Sequence, residues 1–262
     1  MLKILVCIKQ VPDTNEIKID PVKGTLIREG VPSIMNPDDK AGLEAALRLK
    51  DKYGANVTVI SMGPMQAQEI IREAIAMGAD DGYLLSDFKF AGADTLATST
   101  ALCGAIKNFE YDLVIMGRQA IDGDTAQVGP ETAELLGIPQ ISYAASIDYK
   151  DGYFIVERKV EDRIYVLKAK APIVVTVLGE SMKPRYMNVA RLIDVYRNKQ
   201  INVWTAEKTN TPAEKLGLKG SPTQVKESFG KQLKAAGTVM DNLDPQEAAK
   251  VIAKTLAEKH YL

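Results

Sequence analysis

Up to about residue 180, short β-branched runs alternate with amphipathic helical stretches, and this constrains the fold more than any other feature of the chain. A helix returning the chain to a parallel strand is the economical way to bury both, so βαβ units and a mostly parallel, doubly wound α/β sheet are expected. The first strand is KILVCIK, Lys3 to Lys9. A polar excursion follows, in which the IKI and TLI segments around PVKG read as a small hairpin.

A helix begins at NPDD, with Asn36 as N-cap, Pro37 at the first helical position and Asp38 and Asp39 in the first turn, where the helix dipole favours acids. Leu43, Ala46 and Leu47 supply its buried face. The strand NVTVISM runs through Gly63 and Pro64 into a helix closed by Gly78. A strand at GYLLS, a helix from about Asp94 to Asn108 and the strand DLVIMG continue the pattern.

After Pro139 the segments ISYAASIDY, GYFIVERKV, RIYVLKA and PIVVTVL read as antiparallel additions, with a turn at Lys150, Asp151 and Gly152. Beyond Gly179 the chain becomes polar and basic and reads as a tail or arm, which sets domains at 1–200 and 201–262. A helix closes it: Asp244 caps, Pro245 follows and Glu247 completes a capping box, with a stripe of Ala248, Val251, Ile252 and Leu256 that must find a partner.

Charge and composition narrow the chemistry. Lys and Arg number 33 against 34 Asp and Glu, so no nucleic-acid footprint is encoded. No long apolar run or basic-then-apolar leader is present, and a cytoplasmic protein without membrane insertion is expected. Cys7 and Cys103 form no CxxC and read as buried small hydrophobes. The one histidine, His260, stands near the C-terminus, which leaves no internal imidazole for a triad or a zinc site. Redox or group-transfer chemistry would therefore come from a bound cofactor.

The most informative segment is GRQAIDGDTAQVGP, Gly117 to Pro130, lying between a buried strand and a helix start. Such a loop aims backbone N–H groups and a helix dipole at one point, an anion site suited to a nucleotide phosphate. On spacing alone, Gly117, Gly123 and Gly129 serve equally well to turn the chain. Asp122 and Asp124 would repel a phosphate, so bracing of the loop or contact with a ribose hydroxyl is the expected role for them. No GxGxxG and no GxxxxGK is present. The SMGP turn, Ser61 to Pro64, joins Cys7, Ile8 and Asn36 at the carboxyl edge of the sheet, where ligands bind at the point of strand-order reversal. The segment Met182 to Arg197 mixes apolar residues with arginines: either a connector packed on its own domain, or an interface with Val189, Leu192 and Ile193 as anchor and Arg185 and Arg191 at the rim.

These motifs, in their order from the VPD loop through SIMNPDDKAGLEAALRLKD, SMGP, IREAIAMGAD and GRQAIDGDTAQVGP, resemble the electron-transferring flavoprotein beta subunit over residues 1 to about 200. In RKVEDRIYVLKAKAPIVVT, Arg163 and Tyr165 depart from the family signature. The resemblance implies a Rossmann-like, adenine nucleotide alpha hydrolase-like domain paired with a larger alpha subunit that carries the electron-transferring FAD. It implies nucleotide contacts at Cys7, Asn36, Asp39, Met62, Ala120, Gly123, Ala126, Gln127 and Val128, with Gly63, Asp122, Asp124, Thr125 and Gly129 completing the candidate set. It also implies docking on an acyl-CoA dehydrogenase through Pro184, Arg185, Tyr186, Val189, Leu192 and Ile193, and a C-terminal helix wrapped on the larger subunit. The nucleotide is AMP in simple carriers and a second FAD in electron-bifurcating members. The REGVPSIMNPDDKAG helix start looks like the bifurcating group, in which NADH reduces this FAD and electrons divide between ferredoxin or flavodoxin and the dehydrogenase. Oxidoreductase activity would then belong to the complex rather than to this chain alone. An adenylating or ATP-hydrolysing enzyme would need a phosphate loop after the first strand, which VPDTNEIK does not offer, and a nucleotide-sensing module would cluster its glycines more tightly.

Overall fold

A computed structural model describes residues 1–13, 32–226, 237, 239–241 and 243–262. The hairpin expected at IKI and TLI lies outside them. The chain divides into one compact unit, Met1–Glu227, and a second piece, Ser228–Leu262.

The elements of the first unit are, in order, β1 (Lys3–Cys7), β2 (Gln10–Pro12), β3 (Ser33–Met35), α1 (Pro37–Tyr53), β4 (Asn56–Met62), α2 (Gln68–Met77), β5 (Asp81–Leu85), α3 (Thr95–Ile106) and β6 (Leu113–Gly117). After these come α4 (Val128–Leu136), β7 (Gln140–Lys150), β8 (Tyr153–Val160), β9 (Arg163–Lys170), β10 (Ile173–Val177), α5 (Val189–Asn198), β11 (Asn202–Trp204) and α6 (Gly217–Gly220). The main sheet has the order β11-β5-β4-β1-β6-β10-β7-β8-β9, and β2 pairs with β3 beside it.

Every pairing from β11 across to β7 is parallel; β8 and β9 are antiparallel. The run PIVVTVL is therefore a central strand, inserted between β6 and β7 and parallel to both, not an antiparallel addition. ISYAASIDY serves both patterns: its start runs parallel to β10 and its end antiparallel to β8, with the bend near Tyr143, a non-glycine residue at φ 59°.

Side chains alternate across the sheet with the two-residue period of a strand. Ile4 and Val6, Leu113 and Ile115, and Ile173 and Val175 face the layer of α1, α2 and α5; Leu5 and Cys7, Val114 and Met116, and Val174 face the layer of α3 and α4. Burial on both faces explains why these strands read as continuous apolar runs.

Of the stretch expected to be an arm, the described residues up to 226 are folded into the first unit. Val195 of α5 and Ile201 are buried in the core with α2, and β11 extends the sheet beyond β5. Trp204 stacks on Phe109 and meets Tyr83 edge-on, while Ala206 and Leu216 are buried beneath α3. The compact unit thus reaches Glu227, beyond the boundary expected at 200. In the second unit α7 (Pro245–Glu258) starts as anticipated, with the Asp244 carboxylate accepting from the N–H groups of Gln246 and Glu247.

Candidate functional site

Strand order reverses between β1 and β6, since the chain moves from β1 to β4 and β5 on one side and to β6 and β10 on the other. At such a switch point the carboxyl ends of two strands open a crevice, the common ligand position of an open α/β sheet. Cys7 closes β1 there, Met62 ends β4 with Gly63 following it, and Gly117 ends β6.

The first turn of α1 holds this edge together. Buried Asp39 accepts from the N–H of Lys9 at 2.8 Å and from the N–H of Gly117 at 2.9 Å, bridging the ends of β1 and β6. Asp38, the neighbouring acid, has its Oδ2 3.5 Å from Nε of Arg118. Asp39, expected to complement a helix dipole, is thus a tie between strand ends, and Asp38 pairs with Arg118 just past β6. Gly117 must be glycine because a Cβ would stand 2.3 Å from Oδ1 of Asp39. Burial pushes the Asp39 carboxyl up to about 7 against the pull of its N–H donors, and burial likewise raises Asp38 against the pull of Arg118. Burial also raises the Cys7 thiol, which is neutral at physiological pH and acts as a small apolar wall.

Asn36 stands at the N-cap position but makes no side-chain cap. Its fully buried amide crosses instead to the loop: Nδ2 donates to the carbonyl of Gln119 at 2.8 Å, and Oδ1 accepts from the N–H of Ile121 at 3.1 Å. Pro37 already removes one orphan N–H of the helix, which leaves this side chain available for the crossing.

Loop residues 118–127 are braced by their own polar groups. Arg118 donates its N–H to Val177, and the N–H groups of Gly123 and Asp124 turn back to the carbonyl of Ala120. Nζ of Lys9 lies 2.6 Å from Oδ1 of Asp122, and Nε2 of Gln119 donates to Asp124. The two aspartates therefore brace the loop through side-chain partners, and the charge of Asp122 is matched by a lysine. Asp124 and Ala126 adopt φ of 55° and 54°, a backbone region that non-glycine residues enter at a cost of order 1 kcal/mol or more each. Strained backbone of this kind collects where a loop must hold a ligand, and Thr125 stands exposed between the two positions.

The loop delivers the chain to α4, which has no side-chain cap. Pro130 has no N–H to offer, so the N–H groups of Val128 and Gly129 lead the helix dipole. Gly129 sits against β10, where a Cβ would meet the Thr176 methyl at 2.4 Å, so only glycine lets the helix start this close to the sheet. Glu131 in the first turn is held away by the hydroxyls of Thr95 and Ser99, each 3.0 Å from one of its oxygens, and Gln127 meets Thr95. An uncapped helix start beside a glycine-opened crevice fits the phosphate of a nucleotide.

Lys9, Arg118 and Gln119 belong to this constellation, and sequence reading did not single them out. The signal available is positional: each stands within two residues of a strand end at the switch point.

The second candidate region is Pro184 to Ile193. Tyr186 is 93% exposed, Val189 69% and Ile193 46%, whereas Pro184 and Leu192 are half-buried. Arg185 is not a free rim charge; it is bound to Glu44 and Asp51 of α1. The helix α5 starts at Val189, where Asn188 Oδ1 accepts from the N–H of Arg191.

No helix among the described residues is long and apolar enough to cross a membrane. The sequence matches the electron transfer flavoprotein domain over residues 23–209. It is 53% identical over 261 residues to the electron transfer flavoprotein subunit beta of Clostridium acetobutylicum, covering 100% of both chains. It is 49% identical over 263 residues to the caffeyl-CoA reductase-Etf complex subunit CarD of Acetobacterium woodii, again covering 100% of both. With the acryloyl-CoA reductase electron transfer subunit gamma of Anaerotignum propionicum it shares 39% identity over 269 residues and the full length of each chain. Ordered strand-end ties, an anion-ready helix start and end-to-end similarity to such subunits agree: the chain belongs to the electron transfer flavoprotein family, as a beta subunit.

Proposed function

We propose that this chain is the small subunit of a cytoplasmic, electron-bifurcating flavoprotein heterodimer that holds FAD at the β1/β6 crevice. NADH is the electron donor. The acceptors would be ferredoxin or flavodoxin and, by way of the alpha subunit with its own FAD, an acyl-CoA dehydrogenase. The observation that carries the nucleotide site is the uncapped start of α4 at the switch point, with Gly129 packed on Thr176 to open it.

When bound, FAD supplies hydride acceptance and one-electron transfer, chemistry outside the range of these side chains. The residues of this chain bind and orient. The N–H groups of Val128 and Gly129 receive a phosphate, and Asn36 keeps the loop pressed against α1. The Asp39 bridge fixes the spacing of β1 and β6, and the neutral Cys7 thiol lines the crevice without adding charge. Relatives named as parts of a caffeyl-CoA reductase complex and of an acryloyl-CoA reductase favour an acyl-CoA oxidoreductase as the terminal partner. The helix α7 supplies the contact with the alpha subunit.

The test is NADH oxidation by the purified heterodimer with an acyl-CoA dehydrogenase and its enoyl-CoA substrate, with and without ferredoxin. Bifurcation requires that ferredoxin be reduced and that oxidation stall when either acceptor is missing. Full-rate reduction of the enoyl-CoA without ferredoxin would mean simple electron carriage, the behaviour expected of a subunit holding structural AMP.

A further inference from the structure

The guanidinium of Arg185, the residue before the exposed Tyr186, is spent inside the domain. Its Nε lies 2.9 Å from Oε2 of Glu44, one terminal nitrogen reaches Oε1 at 3.3 Å, and its own backbone N–H donates to Oε2 at 3.1 Å. The same guanidinium reaches Asp51 at 2.8 Å. Only 6% of the Glu44 side chain is exposed, and Arg48 donates to it at 2.9 Å from one turn further along α1. Three residues beyond Arg185 the N–H of Asn188 donates to the carbonyl of Ala76 at the end of α2, and Val195 anchors α5 in the core. The exposed Tyr186 and Met187 therefore stand between two fixed points, one on each neighbouring helix.

From this geometry we infer that Arg185 and Glu44 form an internal clamp that presets the docking segment, so that Arg185 is a positioning residue and not a contact to the partner; the inference rests on the docking reading given above. A bidentate guanidinium–carboxylate pair fixes direction as well as distance, which a lysine cannot reproduce. An ordered segment loses less conformational freedom on binding, so the clamp acts on affinity through preorganisation. It also joins two regions through one helix, since α1 begins at the nucleotide loop with Asn36 and carries Glu44 two turns later.

The experiment compares Glu44→Gln, Arg185→Gln, the double variant and Val189→Asp in the heterodimer, using a purified acyl-CoA dehydrogenase as acceptor. KM for the dehydrogenase, kcat at saturation, flavin content and hydrogen exchange of a peptide spanning 184–193 are read together. The clamp predicts that both single variants raise KM about tenfold with kcat and flavin content kept, that exchange in the peptide quickens, and that the double variant is no worse than either single one. Arg185→Lys should recover only part of the loss. If Glu44→Gln leaves KM unchanged or lowers it while Arg185→Gln raises it, Arg185 touches the partner directly and the clamp is overturned. If Val189→Asp weakens docking but both clamp variants dock and exchange like the parent, the clamp alone is overturned. If Val189→Asp itself leaves KM unchanged, the docking reading falls and the inference with it.

Discussion

The proposed nucleotide loop and the proposed docking segment are both connections that follow a buried strand, yet they treat their side chains in opposite ways. In residues 118–127 Asp122 is committed to Lys9, Asp124 to Gln119, and the 119–121 backbone to Asn36. What remains free is backbone, at the start of α4. In residues 184–193 the backbone and Arg185 are committed, and what remains free is apolar side chain: Tyr186, Val189 and Ile193. A loop proposed to receive a phosphate keeps N–H groups in reserve, and a segment proposed to meet a protein keeps hydrocarbon in reserve.

That contrast breaks most sharply at Gly117. Gly117→Ala places a methyl 2.3 Å from Oδ1 of Asp39 and should cost about 3 kcal/mol or more, with loss of heterodimer yield and of bound nucleotide; thermal unfolding and absorbance of the released nucleotide measure both. Asp39→Asn keeps the shape but can accept from only one of the two N–H groups, and a loss of about 1–3 kcal/mol is expected in denaturant unfolding.

The same position carries a pH dependence. With the folded carboxyl raised to about 7, the native state binds more protons than the unfolded chain between that value and the ordinary aspartate range. The stability contributed by Asp39 is therefore fully present at low pH and is lost as pH rises through about 7. Unfolding curves taken between about pH 5 and 8 should show this decline in the parent protein and not in Asp39→Asn.

Asn36→Ala removes both crossings to the loop, and a cost of about 1–2 kcal/mol is expected, felt chiefly as faster nucleotide release. Val189→Asp sharpens the contrast from the other side: at 69% exposure it should change stability by less than about 0.5 kcal/mol while raising the KM for the dehydrogenase.

Much of this was legible from local pattern. The strand–helix alternation, the SMGP turn, the Asp244 cap and the helix start after GRQAIDGDTAQ all depend on neighbours in sequence. PIVVTVL was misplaced because a short run buried on both faces carries no sign of which strands will flank it; β10 lies between β6 and β7 through long-range pairing alone. The stretch after Gly179 reads as an arm because it buries few apolar residues, Val195 of α5 and Ile201 among them, too sparse a signal within a polar sequence. Asn36 reads locally as a helix cap, since a side chain that reaches 83 residues along the chain to Gln119 has no local signature.

The most direct test of the nucleotide site is the acid-released nucleotide content of the heterodimer, measured for the parent and for Asn36→Ala. Two FAD in the parent, falling toward one in the variant while the alpha subunit's flavin stays, is the expected result. One FAD and one AMP would give this crevice a structural nucleotide, and an unchanged content of two FAD in an Asn36→Ala protein with a freed loop would place the second flavin elsewhere.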